Sequence, residues 1–123
     1  MDGKDFEVLK RLAEKGEAEA QFNLAHAYRL GEGVEKDQAE AVKWFRLAAE
    51  QGEAEAQYSL GVVYYFGKGV EWNQAEAVKW WRLAADQGHA LAQYTLGYAY
   101  RMGEGVEMSQ TEGAKWCRLA AEQ

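Results

Sequence analysis

The chain has 123 residues, 48% of them apolar and 28% charged, the balance of a folded globular domain with room for a core. Fourteen Lys and Arg against twenty Asp and Glu give a net charge of −6, which argues against nucleic acid as the partner, because that binding needs cations to neutralise phosphates. One cysteine, Cys117, excludes an internal disulfide and a zinc site built on several thiolates, and no apolar run nears the roughly 18 residues that membrane insertion requires.

The opening Met1-Asp2-Gly3-Lys4-Asp5 is charged and is followed by no apolar run, unlike a signal peptide. The expected compartment is therefore the cytoplasm, with the mature part of an exported protein as the alternative. Proline is absent and glycine occurs 13 times, so the turns must be made with glycine.

Taken in chain order, the first predicted element is an N-terminal capping helix, Asp5–Lys15, ended by Gly16. Three copies of one unit follow, Glu17–Gly52, Glu53–Gly88 and His89–Gln123, in a single domain over residues 1–123. The first two copies agree at 24 of 36 positions without a gap. A repeat of this length is the mark of a stacked array.

Each unit reads as two helices. In the first copy Ala20, Leu24, Ala27 and Tyr28 fall on one face of a helix from about Ala18 to Leu30. The Gly31-Glu32-Gly33-Val34 loop then reverses the chain. The second helix opens with a capping box, Asp37 with Glu40, repeated as Asn73 with Glu76 and Ser109 with Glu112. Its inner face carries Ala41, Trp44, Phe45 and Ala48, and it stops at Gly52. Gly16, Gly52 and Gly88 make tight turns in the left-handed region, so neighbouring helices run antiparallel. The fold class expected is all-α: a solenoid of antiparallel helix pairs with 36-residue repeats, about seven helices in all.

These residues resemble the Sel-1-like repeat family, relatives of the tetratricopeptide repeats. The middle copy supplies Ala56, Leu60, Gly61, Tyr64, Gly67, Gly69 and Val70, then Ala77, Trp80, Trp81, Ala84, Ala85 and Gly88. The resemblance runs from about Phe6 to Gln123. Departures are local: Ala25 replaces a helix glycine in the first copy, while Gly113 and Cys117 replace an alanine and an aromatic in the third. What the resemblance implies is a right-handed superhelix that acts as an adaptor or scaffold for partner proteins.

Differences between copies point to a candidate surface. On the first helices the variable positions form a stripe opposite Leu24, Leu60 and Leu96. It comprises Glu19, Phe22, His26, Arg29 and Leu30 in the first copy, Glu55, Tyr58, Val62, Tyr65 and Phe66 in the second, and Leu91, Tyr94, Tyr98, Arg101 and Met102 in the third. All but Glu19, Leu30, Glu55 and Leu91 are taken as candidate binding residues. In tetratricopeptide-like solenoids the matching face lines the concave groove. Two readings are open: packing against the adjoining unit, or a Tyr-rich groove for an extended or helical peptide, with Arg29 and Arg101 available for carboxylates.

Trp72 and Met108 stand where the first copy has Lys36, as a partner contact or folded onto the next loop. Lys43, Arg46, Lys79, Arg82, Lys115 and Arg118 form a basic ladder on the second helices, read as a solvated outer face neutralised by glutamates such as Glu40 and Glu50. His26 and His89 lie at different points of the repeat with no second ligand at metal spacing. Cys117 is read as a core residue, and neither a catalytic constellation nor a cofactor motif emerges.

The function expected is a protein- or peptide-binding adaptor or scaffold module, not an enzyme. The rivals are self-association through the last helix, which has no following unit, and an aromatic groove for a glycan. The abrupt end at Gln123 suggests a piece of a longer array, or a designed sequence.

Overall fold

The structure is a computed structural model and describes residues 2–123. Among these residues the chain forms seven α-helices: α1 Gly3–Glu14, α2 Ala18–Leu30, α3 Gln38–Glu50, α4 Ala54–Phe66, α5 Gln74–Asp86, α6 Ala90–Met102 and α7 Gln110–Ala121. The protein is all-α, with helices in sequential antiparallel pairs, and each helix packs mainly on its neighbours in sequence. None is long and apolar enough to cross a membrane.

Polar caps fix the starts. The backbone N–H of Glu40, Glu76 and Glu112 donates to the side chain of Asp37, Asn73 and Ser109 at 3.1, 3.0 and 3.1 Å. Each cap contributes about 1 kcal/mol. The return half of the expected capping box does not form: Glu76 and Glu112 turn to Lys79 and Lys115, at 3.8 and 4.0 Å. α1 also differs from expectation, spanning Gly3–Glu14 and not Asp5–Lys15. Asp2 is the reason, since its carboxylate accepts from the Asp5 N–H at 2.9 Å and its carbonyl from Phe6 N–H at 3.0 Å. The helix therefore begins two residues earlier.

Gly31, Gly67 and Gly103 end the first helices with φ near 70°, and Gly16, Gly52 and Gly88 end the preceding hairpin arms, all at positive φ. Gly69 carries a second constraint. Its φ is 84°, and a methyl group added there would stand 2.6 Å from the Gln38 carbonyl oxygen. The loops of the second and third units thus rest on the start of the second helix of the unit before, Gly69 on Gln38 and Gly105 on Gln74.

Leu24, Leu60 and Leu96 are fully buried in a core that includes buried alanines from both helices of the first two pairs and from α6 of the third. Truncating one to Ala costs about 2–5 kcal/mol. Phe6 meets Tyr28 edge-on at 5.7 Å, which seats α1 on the first unit. Tyr64 packs against the core on both its sides, so the interior is continuous from unit to unit.

A glutamine ladder reinforces the stacking. Gln57 Nε2 donates to the Ala49 carbonyl at 3.2 Å, while its Oε1 accepts from Gln87 Nε2 at 2.9 Å. Gln87 also donates to the Gly52 carbonyl at 2.8 Å. Gln21 with Gln51, and Gln93 with Gln123, repeat the device. The amides of Gln21, Gln57 and Gln93 each give a helix-end carbonyl, Ala13, Ala49 or Ala85, a second donor beside the turn N–H of Gly16, Gly52 or Gly88, and so tie the next helix to that turn.

The basic ladder departs from a simple solvated face. Arg46 lies over the Tyr64 ring and donates to its hydroxyl, and Arg82 does the same with Tyr100. Each pair joins one unit to the next, so these arginines serve stacking and make no ion pair with Glu50 or Asp86 four residues on. Lys43, Lys79 and Lys115 cover the rings of Trp44, Trp80 and Trp116.

Candidate functional site

The first helices α2, α4 and α6 run parallel, each separated from the next by a helix of opposite direction. Two troughs lie between them. The α2/α4 trough is a cavity of about 350 Å³ whose lining includes His26, Arg29, Phe45, Tyr58, Val62 and Phe66. The α4/α6 trough, about 190 Å³, is lined by Tyr58, Val62, Tyr65, Phe66, Trp81, Thr95 and Tyr98. Tyr58, Val62 and Phe66 belong to both, so α4 forms the ridge between two connected depressions.

Aromatic contacts hold the lining in place. Phe22, His26 and Phe45 pack on one another at centroid distances of 4.6 to 5.9 Å. Tyr65 meets Trp81 at 5.6 Å and donates its hydroxyl to Glu104 at 3.1 Å, a bond that raises its pKa. Tyr58 stacks on His89 at 5.1 Å. His89 Nδ1 accepts from the Ala92 N–H at 3.1 Å, so its proton sits on Nε2 and is donated to Glu55 Oε1 at 3.0 Å.

Electrostatics divide the α2/α4 trough end from end. Near the helix starts a wider hollow of about 580 Å³ is lined by Glu19, Glu53 and Glu55 together with Phe22 and His89. Burial raises the pKa of Glu53, opposed by the Ala56 N–H and aided by Glu55 and Glu19. At the other end stand Arg29 and Lys68. His26 Nδ1 accepts from Arg29 Nε and Nη2 at 3.2 and 3.1 Å, and burial followed by the Arg29 charge lowers its pKa. His26 is therefore a neutral acceptor that orients the guanidinium.

The sequence profile of the Sel1 repeat matches residues 18–53, 54–89 and 90–123. The chain belongs to the Sel1 repeat family. A solved Sel1-like repeat protein, c5321, a protective antigen present in uropathogenic Escherichia coli strains, superposes with a TM-score of 0.94 at 47% identity, over 96% of this chain and 25% of that one. A Sel1 repeat protein from Oxalobacter formigenes gives a TM-score of 0.85 at 43% identity, over 87% of this chain and 43% of that one. Helicobacter pylori cysteine rich protein B shares the fold, with a TM-score of 0.78 at 18% identity over 99% of this chain and 90% of that one. The secretory immunoglobulin A-binding protein EsiB of E. coli O6:H1 strain CFT073 is 47% identical over 44 residues, 36% of this chain and 9% of EsiB.

Of the stripe residues expected from sequence, the Sel1 hairpins bring Phe22, His26, Arg29, Tyr58, Val62, Tyr65, Phe66 and Tyr98 to the troughs and their acidic end. Tyr94, Arg101 and Met102 stand outside them, exposed on α6. Arg101 lies across α7: a methyl group on Gly113 would collide with its Cγ. The loss of a side chain at Gly113 is what lets the arginine fold there.

Phe45, expected on the inner face of its helix, and Trp81, named only for the family resemblance, both form trough floor. The signal was present, because Phe45, Trp81 and Cys117 are equivalent positions that differ in every copy. Cys117, expected in the core, is half-buried, its Sγ filling the space beside Gly97. Lys68 and His89 were missed because each reaches the surface from a loop or cap, where helical periodicity carries no information. Trp72 is 60% exposed, on the loop beside Tyr64 and away from both troughs. Among the described residues no group of three or more His, Cys, Asp or Glu is placed to hold a metal ion.

Proposed function

We propose that this Sel1 repeat module binds a protein or peptide on the trough face of α2, α4 and α6, as an adaptor or scaffold and not as a catalyst. The observation that carries the reading is the connected pair of troughs, in which Tyr58 and Phe66 present large ring surfaces to both depressions. Tyr58 is half-buried and Phe66 exposed against Tyr65, and aromatic side chains of this kind dominate binding energy at interfaces. EsiB, which carries a similar segment, is named for binding a protein, secretory immunoglobulin A.

The test is capture from lysate of the source cells with the intact chain and with Tyr58→Ala/Phe66→Ala. A partner retained by the parent and lost from the variant, at unchanged helicity, supports the trough. Equal retention by both removes it. A second reading, self-association through α7, is favoured by Leu119, which is 38% exposed on a helix that buries only Gly113 and Trp116. Light scattering across a tenfold dilution decides it, a concentration-dependent dimer supporting α7 and a strict monomer removing it.

A further inference from the structure

The binding reading leaves open what kind of segment fills the α2/α4 trough, and the placement of charge along it narrows the choice. Glu19, Glu53 and Glu55 stand at the end where α2 and α4 begin. Arg29 and Lys68 stand at the end where they finish. Between them the surface is apolar, with Phe22, Phe45, Tyr58, Val62 and Phe66 in succession. From Glu55 to Phe66 the backbone rises by about 16 Å, or three helical turns.

Among the described residues neither Arg29 nor Lys68 takes part in an ion pair. Arg29 turns one edge of its guanidinium to the neutral His26 ring and leaves its remaining N–H donors without a carboxylate. Glu32, in the following loop, influences His26 but makes no ion pair with Arg29. What sets these two cations apart is their place, side by side at the rim of an apolar cavity, where a partner's carboxylate can reach both.

α3 already shows how a helix seats itself on this pair: it runs antiparallel to both α2 and α4 and fills the groove on their other side. A second helix laid antiparallel in the open trough has its dipole opposed to both neighbours, as α3 does. Its first turn then falls at Arg29 and Lys68, and its last turn at Glu19 and Glu55. Acidic first turns and basic last turns are what a helix favours for its own stability. The trough offers the complementary order.

We infer that the occupant of the α2/α4 trough is a three-turn amphipathic helix of a partner protein, docked antiparallel to α2 and α4, with carboxylates in its first turn against Arg29 and Lys68, an apolar face on Tyr58, Val62 and Phe66, and Lys or Arg in its last turn against Glu19 and Glu55. This rests on the trough being a protein-binding surface, and helix-in-groove recognition through i, i+3, i+4 and i+7 anchors supplies the mode.

The test is selection from a displayed library of random 16-residue peptides on the intact chain, followed by titration of the enriched peptides against the parent, Tyr58→Ala, and the charge-reversed Arg29→Glu/Lys68→Glu. The expected peptides depend on Tyr58, become helical on binding, and carry acidic residues about three turns before basic ones. Charge reversal should weaken them at least tenfold and transfer preference to peptides whose first turn is lysine. Tyr58-dependent peptides that bind extended, lack a charge order or carry the reverse order overturn the helix and leave trough binding standing. Enriched peptides with no dependence on Tyr58 overturn the trough itself.

Discussion

The indole of Trp81 occupies the space that a side chain at residue 61 would need. A methyl group on Gly61 would stand 2.5 Å from Trp81 Cδ1 and 3.0 Å from the Ala77 carbonyl oxygen. Trp81 Nε1 also donates to the Tyr58 carbonyl at 3.2 Å, which ties the trough floor to α4. The first unit solves the same problem differently, pairing Ala25 with the smaller Phe45, both fully buried.

Gly61→Ala should therefore destabilise the protein by about 1–3 kcal/mol, because overpacking outweighs the gain of up to about 1 kcal/mol in helix propensity. Gly61→Ala/Trp81→Phe rebuilds the pair of the first unit and should recover most of the loss. Chemical denaturation of the four proteins measures it. An additive double mutant contradicts the steric coupling.

Gln57→Leu tests the ladder. It leaves the Ala49 carbonyl without its amide donor and Gln87 Nε2 without its Oε1 acceptor. The Ala49 carbonyl keeps the Gly52 N–H and Gln87 keeps the Gly52 carbonyl, so a cost of about 1–3 kcal/mol is expected from the two hydrogen bonds lost. Gln38→Leu, outside the ladder, should cost less.

Acid should weaken the fold through His26. Burial and Arg29 lower its pKa below the ordinary 6.5, so the unfolded chain takes up the proton first as pH falls. The stability it contributes is present above that value and is lost below it, through the lowered folded pKa. His26→Gln should flatten the decline in Tm between about pH 7 and about pH 5. An unchanged slope rules His26 out as the cause.

Glu53 predicts the opposite sign. Its pKa is raised above 4.5 by burial and by Glu55 and Glu19, so the folded state binds the proton more tightly and ionisation weakens it. Glu53→Gln keeps an oxygen for the Ala56 N–H and should raise Tm at neutral pH. The gain should vanish near about pH 4, where both states are protonated. A variant of lower Tm at neutral pH contradicts the assignment.

The helices were legible because the same apolar spacing recurs in three copies, and Leu24, Leu60 and Leu96 all land in the core. The start of α1 was misplaced because its likeness to the second helices of the repeat begins only at Phe6, and the residues before it depend on the single cap Asp2. Periodicity found the stripe but could not tell which of its members share a cavity. Tyr58 and Tyr94 are equivalent in the repeat, yet Tyr58 is half-buried, stacked on His89 and beside α6, while Tyr94 is exposed among the described residues. Position in the array, not residue type, separates them. The glutamine ladder and the Arg–Tyr pairs escaped notice because polar side chains on a helix surface read as solvated until a neighbouring unit is placed against them.

The binding face is tested most directly by backbone amide NMR of the labelled chain titrated with its retained partner or a selected peptide. Shifts concentrated on residues of α2 and α4 around His26, Arg29, Tyr58, Val62 and Phe66, with α7 unmoved, are the predicted result. Shifts confined to α7 or to the Lys-bearing outer face of α3 and α5 contradict it.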